Sequence, residues 1–273
     1  MYVNLGRAEP APRITVETPG PVHPMALERV DDTTTREFRC VCRIYTKTPG
    51  GHSVGSGVLI GPRHVLTCAH VLYPFDDPRP LWIKVFVAQN GPNDKTPGIK
   101  ADGWAVRPGW FARRCLTWDR DVGIIRLSQP VTSGYWSVSD FDVRRVVGAA
   151  AYLAGYPARP GDQDAHYMYR SRGRIIGTIQ IDACREPTAT QRGNLTRTLL
   201  RPITDATRLV AHELDSAGAM SGGPMWMYRD GRKILWGLHA GDIDNGARKK
   251  AVLLNKAVRA QIALWLSRTL PVR

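Results

Sequence analysis

The chain runs in short apolar stretches broken by turn residues. From Phe38, F-R-C-V-C-R-I-Y-T alternates apolar and polar positions with the period of two that a half-buried strand requires. S-V-G-S-G-V-L-I follows, then the turn G-P-R-H, then a second apolar run, V-L-T-C, so strand, turn, strand is the simplest reading. The same pattern predicts strands at Leu81–Ala88, Gly103–Val106, Val122–Leu127, Ala149–Ala154, Gly173–Ile181, Leu209–Glu213, Pro224–Tyr228 and Ile234–Leu238. The convincing helical period is C-terminal, where Val258, Ile262, Trp265 and Leu266 share a face of N-K-A-V-R-A-Q-I-A-L-W-L.

Glycine (26) and proline (20) punctuate these runs throughout, which favours many short strands over long helices and makes the chain all-β, with spacing suited to Greek-key barrels. With 273 residues there is material for two halves. The polar, turn-rich S-Q-P-V-T-S-G after Leu127 marks their boundary, giving a first barrel over 28–138 and a second over 139–273 that carries the helix. Residues 1–27 lack periodicity and read as an irregular arm or pro-segment.

Charge and cysteine usage narrow the setting. The net charge is +14, but the basic residues are spread from Arg7 to Arg273 without a long cluster, whereas a nucleic-acid footprint is a patch. A solvated basic surface is therefore expected, without a nucleic-acid partner. Five cysteines, an odd number without paired spacing, predict reduced and buried thiols. No apolar run reaches membrane-spanning length and the N-terminus lacks a signal-type stretch, so a cytoplasmic chain is expected, or a secreted one whose leader has been removed. The sequence is silent on oligomeric state.

Three stretches carry chemistry: T-C-A-H ending at His70, D-V-G-I-I-R-L opening at Asp121, and M-S-G-G-P carrying Ser221. A hydroxyl becomes a nucleophile when an imidazole takes its proton and a buried carboxylate fixes the imidazole tautomer. Each member has a plainer reading. S-G-G-P is good turn chemistry by itself; His52 and His64 compete with His70 but sit beside turns; Asp119 competes with Asp121, whose following apolar run would bury it. Asp242, Asp244 and Asn245 hint at calcium, but their spacing stops short of a binding loop and N-G is hairpin chemistry. Cys68 reads as core. Neither a metal nor an organic cofactor is called for.

Taken with R-V-D-D-T-T at Arg29–Thr34, G-S-G-V-L-I-G at Gly55–Gly61, A-G-Y-P at Ala154–Pro157, D-S-A-G-A-M-S-G-G-P at Asp215–Pro224 and W-G-L-H-A-G at Trp236–Gly241, these stretches resemble the chymotrypsin-like serine peptidases, and within them the bacterial glutamyl endopeptidase branch, over about residues 28–268. The resemblance implies two six-stranded β-barrels with the site in the cleft between them. His70 and Asp121 would come from the first barrel and Ser221 from the second, with the backbone N–H groups of Ala219 and Ser221 as oxyanion hole. Relatives usually carry glycine where this chain has Ala219, so the loop is either strained or forms its hole only with substrate. Met220 stands where trypsin-type relatives use an aspartate to hold a new N-terminus. Ser216 and His239 fall where the glutamyl branch receives an acidic side chain, and Ala240, Gly241 and Asp242 form the strand along which a peptide would lie. The implied activity is a serine endopeptidase acting on polypeptide through an acyl-enzyme, with preference for Glu or Asp before the cut bond. Two other readings stay open: a weak pseudopeptidase that binds extended peptides, motivated by Ala219, and a basic nucleic-acid-associated protein, motivated by the charge.

Overall fold

Strands built on the alternating pattern close into two barrels in the computed structural model, which describes residues 26–73, 79–111, 118–138, 141, 144, 146–181, 196–199, 209–243, 248–268 and 270. A two-residue strand, Glu28–Arg29 (β1), comes first. Val41–Thr48 (β2), Gly51–Gly61 (β3), His64–Thr67 (β4), Trp82–Val87 (β5), Ile99–Val106 (β6) and Gly123–Leu127 (β7) then pair in the order β2-β3-β4-β7-β6-β5, and β5 returns to β2. One helical turn, Ala69–Leu72 (α1), follows β4.

The second sheet contains Ala150–Gly155 (β8), Tyr169–Ile181 (β9), Thr196–Leu199 (β10), Leu209–His212 (β11), Pro224–Arg229 (β12), Arg232–Ile243 (β13) and Arg248–Leu253 (β14). Its ring runs β9-β11-β14-β13-β12-β8 and closes through β8 on β9, while β1 and β10 add to β9 outside the ring. Two closed six-stranded antiparallel barrels are thus the fold, as the strand pattern led one to expect. Closure removes the exposed edges that would otherwise invite association.

Alternation assigns the faces. On β12, Met225 and Met227 enter the core of the second barrel, while Trp226 joins the cluster that reaches through the interface to Val41, Ile44 and Leu66 of the first. On β14, Ala251 and Leu253 face that second core and Val252 faces the interface, which turns Lys250 the same way as Val252. β14 has no counterpart among the strands read from the sequence, because R-K-K-A-V-L opens on three charges. The short β1 and β10 offer too few residues for a pattern, and β1 joins Glu28 and Arg29 to the second sheet rather than the first.

The C-terminal helix spans Lys256–Ser267 (α2), capped by Asn255, whose side chain accepts from the Val258 N–H at 3.0 Å. Val258, Ile262 and Trp265 are buried, but Leu266 is 39% exposed. At 100° per residue it falls beyond the edge of the stripe the other three define. Cys40, Cys42 and Cys68 are free and buried, while Cys115 and Cys184 lie outside the described residues, as do most of the 1–27 arm and the N-G turn between β13 and β14. No helix among the described residues is long and apolar enough to cross a membrane.

Candidate active site

His70 sits in α1, directly after β4 ends. Asp121 precedes β7, the neighbour of β4 in the barrel, so adjacent strands deliver the two residues to one point. The carboxylate takes two hydrogen bonds from His70: the backbone N–H donates to Oδ1 at 2.9 Å, and Nδ1 lies 2.6 Å from Oδ2. Asp121 is only 2% exposed, and a carboxylate that dry needs such partners. With Asp121 ionised, Nδ1 carries the ring proton and Nε2 keeps its lone pair. Among the rivals, His52 is exposed, stacks on Tyr45 and lies 3.7 Å from Asp164. His64 is half-buried, which together with Arg126 and Arg63 holds its pKa below the usual value. Asp119 lies in the short turn Trp118–Arg120, where its carbonyl accepts from Arg107.

Ser221 comes from the second barrel, on the loop before β12, and first-barrel residues anchor that loop. The Ser56 N–H donates to the Ser221 carbonyl at 2.8 Å, and the Ser56 hydroxyl donates to the Ala219 carbonyl at 2.9 Å while accepting from the Tyr156 N–H. Gly222, with φ +84°, turns against Ser56 and Thr67 so closely that a Cβ would collide with the Ser56 carbonyl oxygen and the Thr67 hydroxyl. This packing brings the segment after Ser221 against Thr67 and Cys68, the residues that lead into His70. Ser56 lies inside G-S-G-V-L-I-G, but its role as anchor was not readable from the motif.

Ala219 adopts φ +70°, the left-handed region that a Cβ disfavours, so the backbone here carries the strain considered for this loop. Ala219→Gly should relieve a steric cost of about 1 kcal/mol. Because that cost is already present in the folded state, the expected result is a melting temperature higher by about 2–4 °C. Differential scanning calorimetry checks this; an unchanged or lowered melting temperature would show that alanine is comfortable there.

His239 and Ser216 are both buried, at 1% and 8% exposure. The Ser216 hydroxyl has no partner among the described residues. His239 is tied by its backbone to the nucleophile loop, accepting from the Gly222 N–H at 2.8 Å and donating to the Gly223 carbonyl at 2.9 Å. Its Nδ1 lies 3.1 Å from Nε2 of His212, a fully buried histidine that the sequence did not single out, since A-H-E-L carries no motif. Burial pushes His212 down to about 3 and His239 well below its usual value, with His212, Lys250, Lys249 and His70 acting on His239 in the same direction. Both rings are neutral near pH 7.

Beyond His239, β13 pairs with β14 through a register shift between His239 and Asp242, and its pairing with β12 ends at Leu238. Ala240 is buried, Gly241 has φ +93°, and a Cβ on Gly241 would lie 3.9 Å from the Ser221 hydroxyl oxygen. Residues 240–242 thus run beside Ser221 with one edge unpaired by β12. Cys68 Sγ donates to the His239 carbonyl at 3.3 Å. Its ligand atom and those of His70 and Asp121 lie within 4.8 Å of one another, but burial pushes the thiol well up, and a protonated thiol is a poor metal ligand.

A family model of the trypsin-like peptidase domain matches residues 55–234, and the chain belongs to that family of peptide-bond hydrolases. Solved structures agree on the fold. A Glu endopeptidase superposes with TM-score 0.68 at 17% identity, covering 89% of this chain and 97% of its own. A protease from Arthrobacter nicotinovorans gives 0.59 at 13%, covering 81% and 93%. A scabies mite inactivated protease paralogue gives 0.63 at 16%, covering 89% and 100%. No curated protein sequence matches the chain.

Proposed function

We propose that the protein is a serine endopeptidase that cuts extended polypeptide after Glu, and secondarily Asp, through an acyl-enzyme. The fold alone does not carry this reading, because an inactivated paralogue shares it. The observation that carries it is the buried carboxylate of Asp121 gripping His70 through both backbone N–H and Nδ1, which leaves Nε2 as a base. In this reading Ser221 attacks the scissile carbonyl as His70 takes its proton, Asp121 stabilises the imidazolium, and the N–H groups of Ala219 and Ser221 hold the oxyanion. His70 then protonates the leaving amine, and water releases the acyl group by the same steps in reverse. The peptide adds as a strand along Ala240, Gly241 and Asp242.

Acidic preference rests on two donors. The unpartnered Ser216 hydroxyl supplies one. In this reading the proton between the histidines belongs to His212, so that His239 keeps its own on Nε2 and offers it to the substrate carboxylate. A cleavage profile over a peptide library tests the reading: cuts after Glu and Asp are expected. Cuts after Gln would indicate the opposite tautomer, and cuts after Arg, Lys or large apolar residues would refute the acidic pocket.

A further inference from the structure

Lys250 brings a cation beside this site, since a Cβ on Gly241 would touch both its Nζ and the Ser221 hydroxyl oxygen. Although lysine ammonium groups rarely leave water, this residue is only 7% exposed. Its Nζ donates to the Asp242 carbonyl at 2.9 Å, lies 4.6 Å from the Trp118 ring, and would be 3.7 Å from a Cβ on Gly241. It therefore fills the space beneath the strand proposed to receive substrate. Of the charges that act on it, Asp121 is foremost and Asp242 follows, each opposing the downward push of burial.

We propose that Lys250 is a positioning residue of the catalytic centre: buried between the strand 240–242 and Trp118, in the turn that leads into Asp121, it holds the Asp242 carbonyl in place and offsets the attraction of Asp121 for a protonated His70. The inference rests on the peptidase reading above. Its consequence is a base that stays neutral, hence active, further toward acid pH than Asp121 alone would allow.

The other groups around His70 are either neutral or more distant in effect. Asp121 and Cys68 flank it from the first barrel, and the thiol is protonated. His239 on β13 and His212 on β11 are neutral. Lys249 on β14 pairs with the Asp242 carboxylate at 3.0 Å, which cancels much of both charges. From the turn Trp118–Arg120, the Arg120 guanidinium donates away to the Pro108 carbonyl. The Arg107 guanidinium is spent on the Asp119 carbonyl at 2.9 Å, so that among the described residues Lys250 is the buried cation placed to counter Asp121.

The test is the rate of fluorophosphonate reaction at Ser221, which needs neutral His70 and no knowledge of the natural substrate. It is measured from pH 4.5 to 8 on the full chain and on Lys250→Met, Lys250→Gln and Lys250→Arg. The acid limb should move up by about half a unit to one unit in the Met variant, so that the ratio of the rates at pH 5 and pH 8 falls roughly three- to tenfold. Lys250→Arg, which keeps the charge, should keep the wild-type limb. Lys250→Gln, which can still donate to the Asp242 carbonyl, should shift the limb as the Met variant does and serves if that variant does not fold. A wild-type limb in the neutral variants, or the same shift in the Arg variant, overturns the inference while the peptidase reading stands. A wild-type protein that never labels at Ser221 overturns both.

Discussion

Replacing Ser221 or His70 by alanine, or Asp121 by asparagine, is expected to lower kcat by on the order of 10⁴-fold or more while leaving the fold intact. Each change removes a different part of one machine. Without Ser221 there is no nucleophile, and without His70 there is no base for it. Asparagine at 121 can still accept from the His70 N–H but no longer demands a proton on Nδ1, so Nε2 loses its lone pair in the favoured tautomer. The losses should be strongly non-additive, the triple variant being little worse than the worst single one. Turnover of the best library peptide and circular dichroism together check this. Near-normal activity in Asp121→Asn combined with loss in Asp119→Asn would move the orienting role to the other aspartate.

His239→Ala is expected to lower kcat/KM for Glu substrates by roughly 10- to 150-fold and for Gln analogues much less, since a hydrogen bond to a charged acceptor contributes about 1.5–3 kcal/mol and one to a neutral amide less. The pH dependence separates two forms of the idea. An imidazolium in the pocket would make Glu preference fade as pH rises through about 6.5, the ordinary histidine value. His239, however, is held well below that value by burial, with His212 beside it and the cations Lys250 and Lys249 acting in the same direction, so it is neutral near this value. Glu preference should therefore persist from about pH 6 to 9 and weaken only toward pH 4, where the substrate carboxylate itself takes a proton. Ratios of kcat/KM for matched Glu and Gln peptides across that span decide the matter.

Much of this was legible in the chain because barrels and triads are written locally. β2, β3, β4 and β7 show alternation or continuous apolar runs, and the residues at the ends of β4 and β7 are the ones that meet at His70 and Asp121. What escaped was decided by tertiary contact. β14 hides behind Arg248, Lys249 and Lys250, and the charges of Lys249 and Lys250 find partners only once β13 lies alongside. His212 is one histidine at the end of a four-residue strand, and only the closed barrel sets it against His239. Ser56 looks like a small residue between glycines until its hydroxyl and N–H are found holding the Ala219 and Ser221 carbonyls. Lys250 gave no signal at all, since nothing in R-K-K-A-V-L says that one of its cations will be buried against the Asp242 carbonyl and the Trp118 ring of the other barrel.

The central claim is that Ser221 is a nucleophile activated by His70. Intact-protein and peptide mass spectrometry after exposure to a fluorophosphonate at neutral pH tests it most directly. The account predicts one adduct on Ser221, absent in Ser221→Ala and nearly so in His70→Ala. An unmodified Ser221, an adduct on another residue, or labelling that is indifferent to His70 would contradict it.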